Sequence, residues 1–596
     1  MNTEINNKKL YYAYLSGAKE VMINKNNLNK INVFPVADGD TGSNLYSTMN
    51  SIINESKLGQ TIKHTVESIA NAALGGARGN SGIIFAQYLQ GISDEIENEK
   101  HLTIDNFIKA NKNAVSYAYA AISNPVEGTM ITVIKDWSQG LNKFKETNSD
   151  FIEILNHAYV QLEEAVKNTP NQLSVLKKAS VVDSGAKGFT YFIKGFIDFL
   201  KSNHEEIQLD NIRDDKIIFQ EIKHNHENIT FRYCTEALLE GENLDSNVIK
   251  ELLRKAGDSL VVAGNKKKVR VHIHTNHPFK VFEVLSELGK IIYQKADDMK
   301  KQQDVVENRK SDIAILTDSI ADLPQEFIDE NQVHIINLNI LVEDTNYFDK
   351  LTITNKKILE FADKDKNLPT SSQPDFKTIE NIFQYLSTYY KSIIVLTVSK
   401  ELSGTYNIIT KVSEKFNEGK KDKIINVIDS KQNSGAQGLL VMELVNEIKA
   451  GKKQEEIVQA IEKTIKRTKI LVNVKKIDNM IKSGRLSLTA GRIAKMVNMK
   501  PIVTLDEQGK GGLQGVAFSN KASLNKTIKL VEKIVKNKGI KEYSIVHVNN
   551  EGEAKNWAEI FEKVIGKKPK YIDETSSIIA IGAGDGAVAI SYIANL

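Results

Sequence analysis

Hydrophobic positions in the first third of the chain repeat at helical intervals. Ile104, Phe107, Ile108, Val115 and Ala118 share one face, which predicts an amphipathic helix over 104–122. Residues 81–92 (Ser-Gly-Ile-Ile-Phe-Ala-Gln-Tyr-Leu-Gln-Gly-Ile) are apolar nearly all round, which predicts a buried helix. Strand-like alternation is scarce from 8 to about 203, so this region reads as all-α, with loops carrying polar chemistry at one end. A charged stretch near 203–216 marks a boundary. Beyond it the period changes to two. Asn228 to Cys234 and Lys267 to Thr275 alternate as strands, and Ser246 to Ala256 between them reads as a helix with Ser246 as N-cap. The polar stretch 296–311 reads as a linker. From there short apolar runs (313–316, 393–398, 424–428 and 545–548) alternate with helical stretches, the pattern of βαβ units and a largely parallel sheet.

The expected fold is therefore multidomain: an all-α domain over 1–205, an α+β middle domain over 212–303 and an α/β domain with a parallel sheet over 311–596. The length of 596 residues agrees, being too great for one core. A net charge of +4, with lysines interspersed among acids, gives no basic patch for nucleic acid and leaves room for weak attraction to anionic lipid. The single cysteine, Cys234, excludes an intramolecular disulfide framework and fits a reducing cytosol. The first residues lack the apolar core of a signal peptide, and no run of about 18 apolar residues exists to span a membrane. A cytoplasmic protein, transiently at the membrane surface, is the expectation.

The chemistry concentrates in one loop, Asn32-Val-Phe-Pro-Val-Ala-Asp38-Gly-Asp40-Thr41-Gly42-Ser43-Asn44. Two carboxylates held close in a Pro/Gly turn repel each other, and a hard cation such as Mg²⁺ removes that conflict. The following Gly42-Ser43-Asn44 offers backbone N–H groups at a helix start, where anions bind. An acidic turn that caps a helix is the plainer role for Asp-Gly-Asp; the longer string favours a metal with a nucleotide. In the middle region His272 and His274 lie two apart on a predicted strand, hence on one face, with Cys234 on the preceding strand-like segment. Cys with two His suits Zn²⁺ and leaves a fourth position open to water, His277 or Glu236; a core cysteine and ordinary histidines explain the same residues.

The Asp38/Asp40 string resembles the magnesium-ATP loop of the dihydroxyacetone kinase L-subunit family. Leu74-Gly75-Gly76-Ala77-Arg78-Gly79-Asn80-Ser81-Gly82 is similar to that family's phosphate-cradling loop. Pro125-Val126-Glu127-Gly128-Thr129-Met130 and Val182-Asp183-Ser184-Gly185-Ala186-Lys187-Gly188 recur in its fatty acid kinase branch. The resemblance implies a closed barrel of antiparallel helices that binds ATP. It implies Mg²⁺ on Asp38 and Asp40, and phosphate cradled by Thr41, Ser43, Asn44, Gly79, Asn80 and Ser81. Arg78 is then a cation for the transferring group or a structural ion-pair partner. Thr129 and Asp183 line the nucleotide pocket or cap helices. Where glycerone kinases carry a third metal-binding Asp, this chain has Asn32, a neutral ligand that weakens a second metal site. Fatty acid kinases use the equivalent Cys and His-x-His for zinc, which adds weight to that reading of Cys234, His272 and His274.

The C-terminal half resembles the DegV family of fatty-acid-binding proteins. The resemblance rests on Ile315-Leu-Thr-Asp318-Ser319, Pro369-Thr-Ser371-Ser372-Gln373-Pro374, Leu402-Ser403-Gly404-Thr405-Tyr406, Asp429-Ser430 with Gly435-Ala-Gln-Gly438, Ser483-Gly484-Arg485-Leu-Ser487 and Asn498-Met-Lys-Pro-Ile502. It implies a carboxylate held by Ser371, Ser372, Ser403 and Gly404, with Arg485 as a nearby cation. Relatives carry His-Thr-Gly-Pro-Gly near the C-terminus, whereas this chain has Ile581-Gly-Ala-Gly-Asp585-Gly-Ala587. An aspartate there repels a carboxylate, so either Asp585 points away or the head group is held differently.

Together the resemblances imply a kinase that converts a fatty acid and ATP to acyl phosphate and ADP, with the fused DegV domain presenting the fatty acid. They also imply a homodimer and a phospholipid acyltransferase as downstream partner. Two other readings stand beside this one. A glycerone-type kinase needs a separate substrate subunit with a reactive histidine, and nothing here resembles one. A non-catalytic lipid-binding regulator would use the loop only to sense ATP. The DegV half could also dock an external carrier rather than bind lipid.

Overall fold

The computed structural model describes residues 3–34, 39–122, 124–146, 150–207, 229–364, 368–419, 425–482 and 498–596. The chain forms two compact units, Met1–Lys300 and Lys301–Leu596.

The first unit begins with a helical region from Asn7 to Lys201. Its helices start on local capping residues: Thr61, Thr103, Asp150 and Asp183 each accept a backbone N–H of the first turn. Helix Gly79–Glu95 is buried continuously from Gly82 to Ser93, as its uniform apolarity predicts. Its Phe85 and Tyr88 pack in a cluster with Tyr14, Phe189, Phe192 and Phe196, several in edge-to-face contact. Helices Asn7–Ile23 and Ser184–Lys201 approach so closely that a Cβ on Gly17 would lie 2.7 Å from the Phe192 carbonyl. A short ribbon not anticipated from the sequence pairs Glu4–Asn6 with His101–Thr103.

The rest of the first unit is a four-stranded antiparallel sheet in the order Asp258–Gly264, Lys268–Thr275, Tyr233–Glu240 and Lys290–Asp298. Helices Ser246–Leu253 and Pro278–Ser286 share a core with Ala237, Leu239, Val271 and Ile273. Three expectations shift here. The first strand is Tyr233–Glu240 rather than 228–234, because Ala237-Leu-Leu239 reads as helical in isolation and is held extended by strands on both sides. The helix is capped by Asp245, whose carboxylate accepts from Asn247 and Val248, and not by Ser246. The polar stretch 296–311 is not a plain linker: Ala296–Asp298 ends a strand, with Arg232 paired to Asp298, and Met299–Glu307 is a helix.

The second unit contains the expected parallel sheet, ordered Ile425–Asp429, Ser392–Thr397, Ile313–Asp318 and His334–Ile336. It also contains a larger sheet that sequence pattern did not reveal. Its order is Gly511–Ala517, Lys500–Leu505, Thr468–Asn473, Val588–Ala594, Ile540–His547 and Ile572–Glu574, and only the last pair is parallel. Apolar runs such as 545–548 report burial, not strand direction. Helix Ser434–Lys449, buried from Ser434 to Val445, packs against strands of both sheets.

Candidate functional site

Two sites emerge, one in each unit. In the first unit, the starts of four helices (Thr41, Gly79, Met130 and Ser184) come together. Asn44 lies against Gly79, where a Cβ would meet its Nδ2 at 2.3 Å, and Gly79 has φ +56°. No side chain other than hydrogen fits there without strain. Ser81, Asp183 and Met130 all lie 3.0–3.2 Å from the Cβ position of Gly185. Ser184 donates from Oγ to the Leu28 carbonyl at 2.7 Å. Each helix start carries roughly half a positive charge from its aligned peptides, so their convergence favours an anion.

Asp40 stands at the start of helix Thr41–Glu55 without capping it. Asp38 lies outside the described residues. Asn32 is buried and accepts the Thr41 hydroxyl at 2.5 Å, so it braces the loop. Two of the expected N–H donors are engaged within the protein. Ser43 N–H donates to Asn29 Oδ1 at 3.0 Å, and Gly79 N–H donates to Glu236 at 2.7 Å. The first intrahelical bond after Gly79 runs from Gly82 N–H to the Arg78 carbonyl at 3.1 Å, so the N–H groups of Asn80 and Ser81 point out of the helix start. The Asn80 Oδ1 is buried and unpartnered among the described residues. Thr129 donates its hydroxyl to the Val126 carbonyl at 2.8 Å. Asp183 caps its helix through Ala186 N–H at 2.7 Å; burial raises its pKa to about 6, against the pull of N–H groups from Ala186, Met130 and Gly185.

The polar face of the antiparallel sheet belongs to the same site. Cys234 pairs with His274 across the ladder and Glu236 with His272, so these four side chains share a face. The donor atoms of Cys234, His272 and His274 lie within 4.8 Å of one another. One thiol and two imidazoles at that spacing fit Zn²⁺, with a coordination position to spare. Burial pushes the Cys234 thiol well up, with Lys295 opposing and Glu236, Asp297 and Asp40 adding to it, so Asp40 is within electrostatic reach of the triad. The candidate fourth ligand Glu236 is committed elsewhere. Its Oε2 accepts from Arg270 at 2.9 Å and its Oε1 from Gly79. Burial pushes the Glu236 pKa up, but the bond from His272 and the charges of Arg270 and Lys295 outweigh it and hold the group far below the carboxylate range. Arg78 lies 6.0 Å from the Tyr293 ring, which Arg270 also approaches at 4.3 Å.

The second unit holds a cavity of about 890 Å³. Val546, Val588 and Ala589 of the antiparallel sheet, with Ile578 and Ile579, give it an apolar wall. Ser371, Ser372, Ser403 and Gly404 line it; Arg485 lies outside the described residues. These polar residues are drawn together by contacts between loops. A Cβ on Gly404 would lie 2.2 Å from Gln373 Oε1, and Ser399 donates to the Gly509 carbonyl at 2.9 Å. That second bond brings Lys510 of the hairpin turn to the cavity wall, a cation that sequence reasoning missed. The Gly-Lys-Gly-Gly turn at 509–512 was its only signal. Asp585 is half exposed, pairs with Lys476 at 3.2 Å and does not line the cavity. The first of the two alternatives, that it points away, therefore holds.

The structure thus combines a helical domain in which several helix starts converge with an α/β domain that holds an apolar-walled cavity. Comparison with known families agrees with both modules. Residues 35–198 match the DAK2 domain, 230–306 match the FakA-like middle domain of fatty acid kinases, and 312–595 match the DegV family. The chain thus joins a DAK2 domain and a fatty-acid-kinase-type middle domain to a DegV domain, an architecture that fits a fatty acid kinase. An uncharacterized protein of Staphylococcus epidermidis is 32% identical over 362 residues, covering 56% of this chain and 66% of that protein. One of Staphylococcus aureus is 35% identical over 312 residues, covering 51% and 57%. The matched stretch spans less than two thirds of these relatives' length. Among solved structures, a DegV-family protein of Ruminococcus gnavus with vaccenic acid is similar at 26% identity and TM-score 0.43, over 47% of this chain and 99% of that one. A Thermus thermophilus DegV-family protein described for fatty acid binding is 20% identical with TM-score 0.44, over 47% and 99%. Among the described residues, no helix is long and apolar enough to cross a membrane.

Proposed function

We propose that the chain phosphorylates fatty acids with ATP, giving acyl phosphate and ADP, and that its own DegV domain presents the fatty acid. The observation that carries this reading is the union in one chain of a DAK2 loop region with clustered helix starts, a middle domain of the fatty acid kinase type and a DegV domain with an 890 Å³ cavity. A fatty acid carboxylate is ionised near pH 7, so no general base is needed. A carboxylate oxygen bonds to the γ-phosphorus, the bond from that phosphorus to the β–γ bridging oxygen breaks, and ADP leaves with the electron pair. The difficulty is bringing one anion against another, so positioning and neutralisation supply the catalysis.

Asp38 and Asp40 would hold Mg²⁺, which when bound supplies charge neutralisation on the β- and γ-phosphates. Thr41, Ser43, Asn44, Gly79, Asn80 and Ser81 shape the phosphate site, with Asn80 and Ser81 N–H groups as its direct donors. Thr129 and Asp183 border it, and Arg78 supplies a cation beside it. Cys234, His272 and His274 would hold Zn²⁺. In the DegV domain Ser371, Ser372, Ser403 and Gly404, with Arg485 and Lys510, orient the carboxylate. The cavity takes the tail, each buried CH₂ contributing about 0.8 kcal/mol. Fusion makes delivery intramolecular, at an effective concentration on the order of millimolar. The product is a mixed anhydride suited to an acyltransferase at the membrane, and the working unit would be a homodimer in the cytoplasm. The alternative of a non-catalytic lipid-binding regulator draws on Asp585 and on the missing C-terminal histidine; the pairing of Asp585 with Lys476 bears on the first of these alone.

Full-length protein with Mg²⁺, ATP and oleate, with hydroxylamine as trap, tests the reading. Acyl hydroxamate formed without any added binding protein is the expected result. Product only with an external carrier would remove the role assigned to the DegV domain, and no product in either case would end the kinase reading.

A further inference from the structure

The N–H group that opens helix Gly79–Glu95 is held by the middle domain. It donates to Glu236 Oε1 at 2.7 Å, across 157 residues of sequence. Glu236 is 1% exposed, and so is Arg270, whose Nη2 donates to the other carboxylate oxygen at 2.9 Å. His272 Nδ1 stands 3.5 Å from Oε1, and the Arg270 guanidinium lies 4.3 Å from the Tyr293 ring. The carboxylate is thus fixed from several sides before it meets Gly79.

A buried ion pair is expensive to desolvate and is weak evidence for stability in itself. This one ends on a single backbone N–H, at a glycine whose left-handed φ sets where the helix begins. The next two N–H groups, of Asn80 and Ser81, take their direction from that start. A second bond ties the same helix to the sheet further along: Gly264 N–H donates to Gln87 Oε1 at 2.9 Å.

We propose that Glu236 is a positioning residue for the phosphate loop: it clamps the Gly79 N–H, and so lets the middle domain aim the Asn80 and Ser81 N–H groups at the nucleotide phosphates. This rests on reading the loop as a phosphate site. The role needs no metal in the neighbouring Cys234/His272/His274 triad and gives the middle domain a part in nucleotide affinity.

The test uses the full-length chain and the probe Mg-ADP. Glu236→Gln keeps the shape but weakens the acceptor. Glu236→Gln with Arg270→Met removes both charges, so that no lone buried ion threatens folding. Calorimetry should show Mg-ADP binding weakened about ten-fold or more in both variants, the loss expected for a charge-assisted hydrogen bond. Hydrogen exchange should rise in the peptide spanning 78–82 while the helical core around Phe85 and Phe192 stays protected. The KM for ATP should rise more than kcat falls. Wild-type affinity and unchanged exchange at 78–82 in the folded double variant would overturn the proposal alone. Loss of zinc from the variants, with affinity restored by added zinc, would also overturn it, by routing the effect through the triad. Failure of the wild-type chain to bind Mg-ADP would instead overturn the phosphate-site reading, and the proposal with it.

Discussion

The two sites solve opposite problems with opposite materials. On the function proposed above, the first unit has to gather negative charge, and the means at hand are backbone N–H groups, helix starts and fixed ion pairs such as Glu236–Arg270. The second, on the same proposal, has to house an apolar tail, and it presents a wall of Val, Ile and Ala from a sheet and a short helix, with a few hydroxyls from a strand and a loop. In the first, one group out of place leaves a charge unanswered, and tolerance is low. In the second, energy is spread over many small contacts, and no single wall residue dominates. The contrast shows where each unit is vulnerable.

The largest expected effect is on the charged site. Asp40→Ala should lower acyl phosphate formation by at least about a hundred-fold, the scale of losing a preorganised electrostatic group. Oleate retained by the protein after incubation with it and desalting, measured by mass spectrometry, should match wild type. Loss of bound lipid in that variant would erase the division between the sites. Next comes the wall. Ala589→Phe narrows the cavity and should raise the KM for oleate roughly 15- to 60-fold while sparing shorter acids, because roughly two to three methylenes at about 0.8 kcal/mol each lose their place. A KM for ATP that rose in parallel would show that the wall substitution reaches beyond its own unit.

A third test concerns buried acids beside the cavity unit's parallel sheet. Burial raises the pKa of Asp318 to about 6, although it accepts N–H groups from Val398, Gln437 and Ile320. Such a carboxyl holds its proton longer folded than unfolded, so its contribution is fullest below about pH 4 and fades as pH rises through 6. Buried His334, pushed down to about 3, acts in the opposite sense as pH falls below 6.5. The two are separated by comparing denaturation of Asp318→Asn with wild type. The difference should move in favour of the variant between pH 4 and pH 7, by at most about 3 kcal/mol. A flat difference would mean that Asp318 is ionised throughout. The smallest effect is expected at Asp585. Asp585→Ala breaks an exposed pair with Lys476, should cost under about 1 kcal/mol and should leave fatty acid affinity unchanged. Affinity that improved several-fold would place Asp585 in the field of the head group after all.

Much of both sites is legible in the chain. Asp40 stands in a turn whose residues suggest a cation with an anion, Gly79, Asn80 and Ser81 are marked out by the family resemblance, and the structure brings them to adjoining helix starts. His272 and His274 share a face because the strand period is two, and Cys234 meets them across the ladder. Ser371 and Ser372 reach the cavity from the short strand Thr370–Ser372, and Ser403 and Gly404 reach it from a loop. Other features were beyond reach. Glu236 reads as a spare metal ligand until Arg270 and Gly79 claim both its oxygens. Lys510 reads as a turn lysine until the Ser399–Gly509 bond places it at the cavity. The six-stranded sheet reads as βαβ because an apolar run looks alike in either strand direction.

What the sequence by itself determined is local: helix and strand periods, capping residues, turn glycines, and which residue types could carry charge or bind metal. These depend on neighbours within a few positions, where covalent geometry dictates the spacing. What only the tertiary structure decided is pairing over long separations: Glu236 with Gly79 across 157 residues, Asp585 with Lys476 across 109, and strand Thr468–Asn473 with Val588–Ala594. A carboxylate or an apolar strand has many acceptable partners in a chain of this length. Burial selects among them, because a charge without a partner costs more the further it lies from water.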